Sequence, residues 1–369
     1  MSKEFVREGG ATVRAIDKAT LFVNEKEIVV LLGPSGCGKS TLLRSIAGLE
    51  APNSGLIRIG GETVFDSARN IDIPPYDRDI NMMFQSYALW PHMTLEANVA
   101  YPLRVRGISK RTAQAEANDY LELVGLGGLG RQYAGSVSGG QAQRAALART
   151  LIAKPAVVLF DEPLSNVDAK VRSRLRRELL RIHAELGFSA LYVTHDQIEA
   201  MGVGSRIAVM RAGRILQIDT PEAIYEQPDD RYVAEFVGEA NFLDAVVRRV
   251  DDVGMRVSTS LGDLDVRVEP DESPTVGTEV VVMIRPEYCE LRPLRDSKSP
   301  QPNTIQGVIS SAVYAGSRSE YICEVRGEQV HIWALGMGRR LTVGTEVEVE
   351  LRGEFIRMIH GSLGVGRQP

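Results

Sequence analysis

The sequence has no long hydrophobic run. Its longest apolar stretches, residues 28–32 and 156–160, are about five residues each, whereas a helix needs about 20 apolar residues to cross a bilayer. The first ten residues, MSKEFVREGG, lack the apolar core of a secretory signal peptide. We therefore expect a chain that stays in the compartment where it is made and does any membrane work through partner proteins.

Cysteine and surplus basic residues are also scarce. The three cysteines, Cys37, Cys289 and Cys323, are far apart and form no CxxC pair, which argues against a zinc site or a disulfide framework and favours a reducing cytosol. The formal net charge is −5 and the pI is about 5.7, whereas nucleic-acid-binding proteins usually carry a basic excess. We therefore expect no nucleic-acid partner.

Residues 20–236 alternate short apolar runs with helical patterns, which is typical of a parallel sheet buried on both faces. Residues 171–186 have apolar side chains at helical spacing and end at Gly187, a residue type that commonly terminates helices. The predicted strands are residues 28–32, 156–160, 190–194 and 206–210. This part of the chain is therefore predicted to be an α/β domain.

Two regions depart from the α/β pattern. Between residues 86 and 150 the strand pattern lapses, and residues 112–124 and 141–152 favour helices, which predicts a helical insertion. After Asn241 the pattern changes to alternating strands, for example residues 264–268 and 279–284. The chain is therefore predicted to end in an all-β domain.

The predicted all-β domain contains an internal repeat. The segment VGTEVVVMIR, which starts at Val276, returns as VGTEVEVELR at Val343, with seven identical positions in ten. Residues 292–303 between the copies hold prolines and polar residues, as a linker does. We predict two small β-barrels in tandem, over about residues 241–291 and 303–361.

A phosphate-binding pattern, GxxxxGK[ST], follows the first predicted strand and precedes a helical run over residues 41–49. Its glycines let backbone N–H groups point at phosphate oxygens, Lys39 reaches the β and γ phosphates, Ser40 holds Mg²⁺, and the helix N-terminus adds positive charge. The predicted nucleotide-binding residues here are Gly33, Pro34, Ser35, Gly36, Cys37, Gly38, Lys39, Ser40 and Thr41.

Two adjacent carboxylates, Asp161 and Glu162, follow the apolar strand of residues 156–160. Charges beside a core are costly unless something compensates them, and Mg²⁺ would do so. Asp161 would bind the metal through water, and Glu162 would orient or deprotonate the water that attacks the γ-phosphate. A phosphate loop alone is compatible with kinases, GTPases and motors, but this pair favours hydrolysis of a nucleoside triphosphate.

Residues 137–141, VSGGQ, resemble the LSGGQ signature of ABC ATPases, with valine in place of leucine. The same residues also fit a helix capping box, Ser-x-x-Gln. The resemblance implies that the signature of one copy faces the γ-phosphate on the phosphate loop of a second copy, so that ATP binds between two copies arranged head to tail. The signature residues assigned to ATP binding are Ser138, Gly139, Gly140 and Gln141.

Further landmarks of the ABC family occur in order along the chain. Gln85 resembles the glutamine that senses Mg²⁺ and the attacking water, beside the surface that meets membrane subunits. Asp168 resembles an aspartate of the dimer contact, and His195 resembles the switch histidine that contacts the γ-phosphate. Gly33, Asp161 and His195 each follow an apolar strand, and strand ends of an open parallel sheet line one crevice.

The resemblance assigns three kinds of role. Glu162 and His195 are the predicted catalytic residues, Ser40, Gln85 and Asp161 the predicted Mg²⁺ residues, and ATP the predicted nucleotide.

ABC ATPases also stack an aromatic side chain on the adenine, at a position that falls here on Gly10. If the loop is longer, Phe5 takes this role, because residues 2–5, SKEF, resemble the lead-in to that aromatic. Such stacking is worth about 1–3 kcal/mol. The strand that should precede the aromatic would then be missing, so we expect the true start to lie upstream.

Three classes of ABC protein compete: an importer ATPase, an exporter half, and a soluble ABC ATPase that acts on nucleic acid or ribosomes. The sequence lacks the spans of a fused exporter, and the zinc cysteines and coiled-coil insertion of the soluble types. The segment Arg285-Pro286-Glu287 resembles the TOBE (transport-associated OB) domain of importers. The tail lacks a basic and aromatic stripe for oligonucleotides, so a regulatory or dimerising role is expected.

The predicted fold is an α/β P-loop NTPase, a RecA-like core with a helical ABC insert, followed by an all-β domain of OB-like barrels. The nucleotide-binding domain would cover residues 1–238 and the TOBE-like domain residues 239–369. The implied partners are a second copy, two transmembrane permease subunits and, indirectly, an extracytoplasmic solute-binding protein. The expected location is peripheral, on the cytoplasmic face of the inner membrane.

The cargo is predicted from two short segments. Residues 84–94, FQSYALWPHMT, and residues 238–242, GEANF, resemble the ferric-iron and polyamine branch of importers more than the sugar branch. Ferric iron or a polyamine is therefore the expected cargo, with a sugar or a phosphonate as the alternative.

Overall fold

The structure is a computed structural model that describes residues 1–6, 10, 12–165, 167–251, 254–268, 274–294, 302–336 and 340–359. The chain divides into two compact units, Met1–Pro221 and Glu222–Pro369. Within the residues described, no helix combines the length and the apolar character needed to span a bilayer.

The first unit is built around a six-stranded sheet with a buried centre. All five residues of the strand before the glycine-rich loop are buried, as a continuous apolar run predicts for a strand covered on both faces. The strands of this unit are β1 (Lys3–Val6), β2 (Thr12–Ile16), β3 (Ile28–Leu32), β4 (Leu56–Ile59), β5 (Glu62–Asp66), β6 (Ile71–Asp72), β7 (Ile80–Met83), β8 (Val157–Asp161), β9 (Ala190–Thr194), β10 (Arg206–Arg211) and β11 (Arg214–Asp219).

Five strands of this sheet run parallel in the spatial order β10-β3-β9-β8-β7, and β11 joins β10 antiparallel at the edge. The four predicted strands are all found here; β3 and β9 keep their predicted bounds, β8 is shifted by one residue at both ends, and β10 is one residue longer at its C-terminal end. The strand order brings the carboxyl ends of β3, β9, β8 and β7 next to one another.

The helices of the first unit fill the intervals between strands. They are α1 (Lys39–Ala47), α2 (Leu95–Val105), α3 (Lys110–Leu123), α4 (Gly139–Leu151), α5 (Ala169–Leu186) and α6 (Gln197–Val203). Residues 84–156, all of which the structure describes, contain α2, α3 and α4 but no strand, which confirms the predicted helical insertion. α5 ends as predicted at Gly187, whose φ of 62° is left-handed and therefore favours glycine.

The second unit is mainly β-structure. Its helices are α7 (Pro221–Glu226), which begins at the last residue of the first unit, and α8 (Arg231–Val237). Its strands are β12 (Asn241–Asp251), β13 (Gly254–Thr259), β14 (Gly262–Val266), β15 (Glu279–Ile284), β16 (Cys289–Pro293), β17 (Thr304–Tyr314), β18 (Arg318–Val325), β19 (Glu328–Leu335), β20 (Glu346–Leu351) and β21 (Arg357–Ile359).

The two repeats of this unit exchange their last strands. One sheet has the order β14-β13-β12-β15-β21, and the other has the order β16-β20-β17-β18-β19. β16 of the first repeat therefore pairs with β20 of the second, and β21 of the second repeat pairs with β15 of the first. One hydrophobic core holds residues of both repeats. The two repeats predicted in tandem are thus interlocked through their last strands. The sequence did not indicate this exchange, because the strand pattern of a repeat does not specify which copy it pairs with.

An asparagine at the start of each repeat bonds to the backbone of the other repeat. Oδ1 of Asn241 accepts a hydrogen bond from His331 N at 2.7 Å, and its Nδ2 donates to His331 O at 2.9 Å. Asn303 makes the same pair of bonds with Asp265, at 2.7 and 2.8 Å. These reciprocal amide contacts hold the two halves in register.

Arg285 connects α7 and α8 to the strands of the second unit. Its buried guanidinium donates hydrogen bonds to four backbone carbonyl groups of α7, α8 and the residues just after α8, at 2.8–3.1 Å. Burial lowers the pKa of this guanidinium. The compact units accordingly divide between Pro221 and Glu222, earlier than the 238/239 boundary that the sequence suggested.

Candidate functional site

The predicted site residues follow four neighbouring strands of the six-stranded sheet. β3 leads into the glycine-rich loop, β9 into His195, β8 into Asp161 and Glu162, and β7 into Gln85. Because these strands are parallel and adjacent, the residues that follow them lie along one edge of the sheet. This arrangement matches the crevice expected from the sequence.

The glycine-rich loop has three positions that only glycine suits. Gly36 and Gly38 have φ angles of 78° and 108°, where other residues are strained. A Cβ atom on Gly38 would lie 2.1 Å from the carbonyl oxygen of Ala15, and one on Gly33 would lie 2.4 Å from that of Met210. The loop is therefore packed tightly against β2 and β10 while it leads into the N-terminus of α1.

Lys39 is buried inside this loop. Its Nζ donates hydrogen bonds to the carbonyl oxygens of Gly33, at 2.7 Å, and Pro34, at 3.0 Å, and lies 3.8 Å from Sγ of Cys37. Its side chain stands at the first position of α1, where backbone N–H groups lack helical partners. The ammonium and the helix N-terminus together favour an anion at this point.

Ser40 and Asp161 meet across the sheet edge. The Oγ of Ser40 donates a hydrogen bond to Oδ1 of Asp161 at 3.2 Å. Burial raises the pKa of the Asp161 carboxyl, with a further contribution from Glu162, while the hydrogen bond from Ser40 and the charges of Arg44 and Lys39 act to lower it. A buried carboxyl of this kind has an unfavourable charge that a bound cation would stabilise.

The donor set of Ser40 and Asp161 fits Mg²⁺. Both donors are oxygen atoms, and Mg²⁺ prefers one or two protein oxygens completed by phosphate and water. Within the described residues there is no group of three or more His, Cys, Asp or Glu side chains that would form an all-protein metal cage. A metal held jointly with the phosphates of a nucleotide is therefore the arrangement that these residues suit.

Glu162 and His195 form a second contact at this edge. The Nδ1 of His195 lies 3.2 Å from Oε2 of Glu162, and the side chains are 54% and 24% exposed, respectively. Glu162 has a left-handed φ of 47°, and its N–H donates to the carbonyl oxygen of Val193 in β9 at 3.1 Å. Strain of this kind persists only where surrounding contacts hold it, and it is common at functional sites.

Gln85 lies just beyond β7 in a tight turn closed by a hydrogen bond from Tyr87 N to Phe84 O at 2.9 Å. Its side chain is exposed. The strand order places this turn beside β8 and therefore on the same edge as Asp161.

The signature segment forms the capped N-terminus of α4. Oγ of Ser138 accepts a hydrogen bond from Gln141 N at 3.3 Å, and Oε1 of Gln141 accepts one from Ser138 N at 2.9 Å. A Cβ on Gly139 or Gly140 would meet nothing within 4 Å. The capping box suggested by the sequence is therefore formed, and its glycines lie on an open surface.

Asp168 caps the N-terminus of α5. Its carboxylate accepts hydrogen bonds from Lys170 N at 3.1 Å and Val171 N at 3.0 Å. Near it, Ser165 Oγ donates to the carbonyl oxygen of Glu162 at 2.9 Å. Ser165 therefore binds the chain that leads to Asp168 back to the backbone of Glu162, the catalytic glutamate predicted by the sequence.

Phe5 lies in β1, which pairs antiparallel with β2 so that Phe5 faces Val13. The ring is 38% exposed, and Nζ of Lys3 lies 4.9 Å from its centre. The sequence suggested that the strand before Phe5 would be missing. In the structure Phe5 does not follow a strand but is itself part of the first described one, β1. Gly10 is described, but residues 7–9 and 11 beside it lie outside the described residues.

Sequence reasoning missed an ion pair that supports His195. Arg172 of α5 binds Asp196 at 2.5 Å and also donates to the carbonyl oxygen of Val167 at 3.2 Å. Asp196 in turn caps α6 by accepting from Glu199 N at 2.9 Å. The Asp-x-x-Glu spacing at residues 196–199 is the one local sequence pattern that predicts this helix cap. The ion pair with Arg172 is not predicted by any residue adjacent to Asp196.

A buried carboxyl lies behind the same segment. Oε2 of Glu199 accepts a hydrogen bond from Thr194 Oγ1 at 2.8 Å, and Oε1 accepts one from Tyr192 Oη. Burial raises the pKa of both Glu199 and Tyr192. These contacts fix the backbone on either side of His195.

Comparisons with known proteins agree with this geometry. The ABC transporter family matches residues 16–165, and the TOBE domain matches residues 282–358. The chain is 41% identical over 346 residues to the trehalose/maltose import ATP-binding protein of Thermococcus litoralis, which covers 91% of each chain. It is 39% identical over 340 residues to a spermidine/putrescine import ATP-binding protein of Pseudomonas fluorescens, again with 91% of each chain covered.

A third relative and a solved structure extend the comparison. The Fe(3+) ions import ATP-binding protein of Rhizobium etli is 39% identical over 355 residues, covering 96% of each chain. A dimeric post-hydrolysis state of an ATP-binding cassette bound to ADP and Pi is similar with a TM-score of 0.52 and 28% identity. That similarity covers 60% of this chain and 96% of the solved one.

Proposed function

Because the chain belongs to the import ATP-binding subunits of ABC transporters that carry a TOBE domain, we propose that it is the ATP-hydrolysing motor of a solute importer. Two copies would bind two ATP molecules head to tail and act on two separate permease subunits. The chain would work as a peripheral protein at the cytoplasmic face of the inner membrane, with an extracytoplasmic solute-binding protein delivering the cargo.

Nucleotide binding would use the glycine-rich loop and the start of α1. The buried Lys39 ammonium and the backbone N–H groups of residues 33–41 would bind the β and γ phosphates. Ser40 and Asp161, in contact at 3.2 Å, would hold Mg²⁺ with help from Gln85. The metal would neutralise charge on the phosphate oxygens.

Hydrolysis would depend on Glu162 and His195. The Glu162 carboxylate accepts a proton from a water molecule as the water oxygen forms its bond to the γ-phosphorus. The bond between that phosphorus and the bridging oxygen breaks, releasing ADP and phosphate. His195, 3.2 Å from Glu162, would orient the carboxylate and contact the γ-phosphate. The observation that carries the proposal is that the contacts Ser40–Asp161 and Glu162–His195 share one edge of the sheet.

The second copy would complete each site. The capped N-terminus of α4, with the exposed Ser138 and Gly139, offers backbone N–H groups to an anion from outside its own copy. Asp168 would set the contact between copies, and Gly140 and Gln141 would complete the surface that covers the nucleotide. The dimeric state of the solved cassette with ADP and Pi supports this arrangement.

The cargo proposal keeps the order that the sequence suggested, with ferric iron or a polyamine first and a sugar or phosphonate second. Relatives named for Fe(3+) and for spermidine/putrescine support the first choice, and the relative named for trehalose/maltose supports the alternative. The ligand of the solute-binding protein that purifies with the transporter would decide between them.

The experiment that tests the motor uses two variants of the full chain. Glu162→Gln should bind ATP and form a stable dimer while turnover falls by about 10²–10⁴-fold, the usual contribution of a general base. Lys39→Ala should instead lose affinity for nucleotide. ATPase assays, equilibrium binding and size-exclusion chromatography with ATP measure these effects. Near-normal hydrolysis by Glu162→Gln would refute the assignment of the base.

The distant alternative is a soluble ABC ATPase that acts on nucleic acid or ribosomes. It predicts that hydrolysis rises on addition of RNA, DNA or ribosomes. The importer proposal predicts stimulation only by the permease subunits together with the cargo-loaded binding protein.

A further inference from the structure

The loop that carries Gln85 has an unusual backbone. After the turn at Gln85, Tyr87 and Ala88 both have left-handed φ angles, 62° and 47°. Each such position costs a non-glycine residue about 1–2 kcal/mol. Two in succession therefore require outside contacts that hold the loop in this conformation.

Arg149 of α4 supplies those contacts. Its Nη2 donates a hydrogen bond to the carbonyl oxygen of Tyr87 at 2.8 Å, and its Nη1 donates to that of Ala88 at 2.7 Å. Its guanidinium carbon also lies 5.0 Å from the ring centre of Trp90. One planar guanidinium thus binds both left-handed residues at once, a geometry that the single ammonium of lysine does not reproduce.

α4 is also attached to the strand that precedes the loop. Nδ2 of Asn81 in β7 donates to the carbonyl oxygen of Thr150 at 2.7 Å. The C-terminal end of α4 is therefore bonded both to β7 and, through Arg149, to the loop that follows β7. At the other end of this 13-residue helix is the capped Ser138, about 20 Å away at the rise of an α-helix.

We propose that Arg149 is a positioning residue that holds the Gln85 turn in register with α4, so that the metal-side glutamine and the Ser138 tip are fixed to one rigid helix. This inference rests on the proposed function and deepens it. The two hydrogen bonds of Arg149 end at the residues two and three positions beyond Gln85, so Arg149 would act on the glutamine through the backbone of the loop and not by direct contact.

The test is a double-mutant cycle on the full chain, with Arg149→Lys, Gln85→Ala and the pair combined. Arg149→Lys should lower kcat about tenfold and raise the half-saturating Mg²⁺ concentration. Binding of ATP in EDTA, measured with a fluorescent ATP analogue, should stay within twofold of wild type. The double variant should be no slower than Gln85→Ala alone, because the two residues act in series.

A matched control is Arg106→Lys. Arg106 also bridges to the end of this helical region, donating from Nη1 to the carbonyl oxygen of Ala153 at 2.6 Å, but it does not bond to the Gln85 loop. Its kcat and Mg²⁺ dependence should match wild type. Additive losses in the double variant, or an unchanged kcat in Arg149→Lys, would overturn the inference.

A second variant covers the case in which Arg149→Lys fails to fold. Ala88→Gly removes the left-handed strain at one of the two residues that Arg149 holds. Adding it to Arg149→Lys should restore folding and part of the lost kcat; a folded double variant without any recovery would contradict the inference. Failure of the proposed function is distinguishable, since hydrolysis would then survive in Glu162→Gln whatever Arg149 does.

Discussion

The Nδ1 atom of His195 lies 3.2 Å from Oε2 of Glu162. The two residues are 33 positions apart in sequence, and the contact forms because β8 and β9 are parallel neighbours whose carboxyl ends coincide. The N–H of Glu162 is bonded to Val193 of β9, which fixes the distance between the two side chains.

His195→Ala should lower kcat by about 10²-fold, the cost of removing one polar group that faces developing charge. The affinity for ATP should change little, because Lys39 and the glycine-rich loop are untouched. Steady-state ATPase assays and equilibrium binding separate these effects. His331→Ala, a histidine of β19 in the second unit, is the control and should behave as wild type. A kcat within twofold of wild type would exclude His195 from the site.

Asp161→Asn should make the chain more stable but inactive. Burial raises the pKa of this carboxyl above its ordinary value of 3.8, so the folded chain holds the proton more tightly than the unfolded chain. The free energy of unfolding therefore falls as the pH rises through the window above 3.8. Asparagine has no titrating carboxyl, so this pH-dependent decrease in stability is lost, while its side-chain oxygen still accepts the hydrogen bond from Ser40. ATPase activity should fall about 10²-fold or more, because the charge of Asp161 is lost.

Thermal unfolding without nucleotide, measured at pH 5 and pH 8, checks the stability part of this prediction. The gain in the Asp161→Asn variant should be larger at the higher pH. A variant that is less stable than wild type at both values would show that the Asp161 charge is not a destabilising one.

Phe5→Ala should weaken ATP binding several-fold if the ring stacks on the adenine, since stacking on an aromatic is worth about 1–3 kcal/mol. The matched control is Phe22→Ala, which removes a more exposed phenylalanine of the same unit. Calorimetric titration with ATP and with inorganic triphosphate separates the base from the phosphates. Equal affinity of Phe5→Ala and wild type for ATP would remove Phe5 from the site.

The ion pair of Arg172 and Asp196 should show coupling in a double-mutant cycle. The pair is partly buried and joins the Asp168 segment to the backbone beside His195, so alanine at either residue should lower both stability and kcat. The double variant should lose about 1 kcal/mol less than the sum of the single losses. The exposed i,i+4 pair Arg181–Glu185 should couple by only about 0.3–0.5 kcal/mol; equal coupling in the two pairs would contradict a special role for Arg172.

Asn241→Ala should destabilise the second unit by about 2–4 kcal/mol, because it leaves two backbone groups of His331 without their partner. The chain has two tryptophans, Trp90 in the first unit and Trp333 in the second. In a Trp90→Phe background, denaturant unfolding followed by Trp333 fluorescence therefore reports on the second unit. Asp244→Ala, an exposed position on the same strand, is the control. An unchanged unfolding midpoint in Asn241→Ala would refute the locking role.

The buried centre of the first unit was predictable because its signals are local. β3 and β9 are continuous apolar runs and keep their predicted bounds. Gly187 ends α5 because a left-handed residue is needed there. Helix boundaries differed from the prediction where a polar capping residue, and not the apolar pattern, sets the start of the helix. α3 begins at Lys110, before the predicted residue 112, because Ser109 caps it.

The second unit was predictable only in part. The sequence repeat correctly predicted two copies of one structural pattern. The same backbone hydrogen bond occurs in both copies: the N–H groups of Gly277 and Gly344 donate to the carbonyl oxygens of Val247 and Ile309, each at 2.8 Å. The exchange of β16 and β21 was not predictable. A strand with alternating apolar residues satisfies its hydrogen bonds equally well with either copy, and only the packing of the common core selects the partner.

By itself the sequence determined the chemistry: the glycine-rich loop with Lys39, the carboxylates at the end of a buried strand, and the capped signature are all encoded in adjacent residues whose backbone conformation and charge act locally. Only the tertiary structure decided which distant groups meet, such as Glu162 with His195, Arg149 with Tyr87, and Arg172 with Asp196. Those contacts depend on the order of strands in the sheet and on helix packing. Both arise from the burial of the whole core, so the sequence around each residue does not indicate its distant partner.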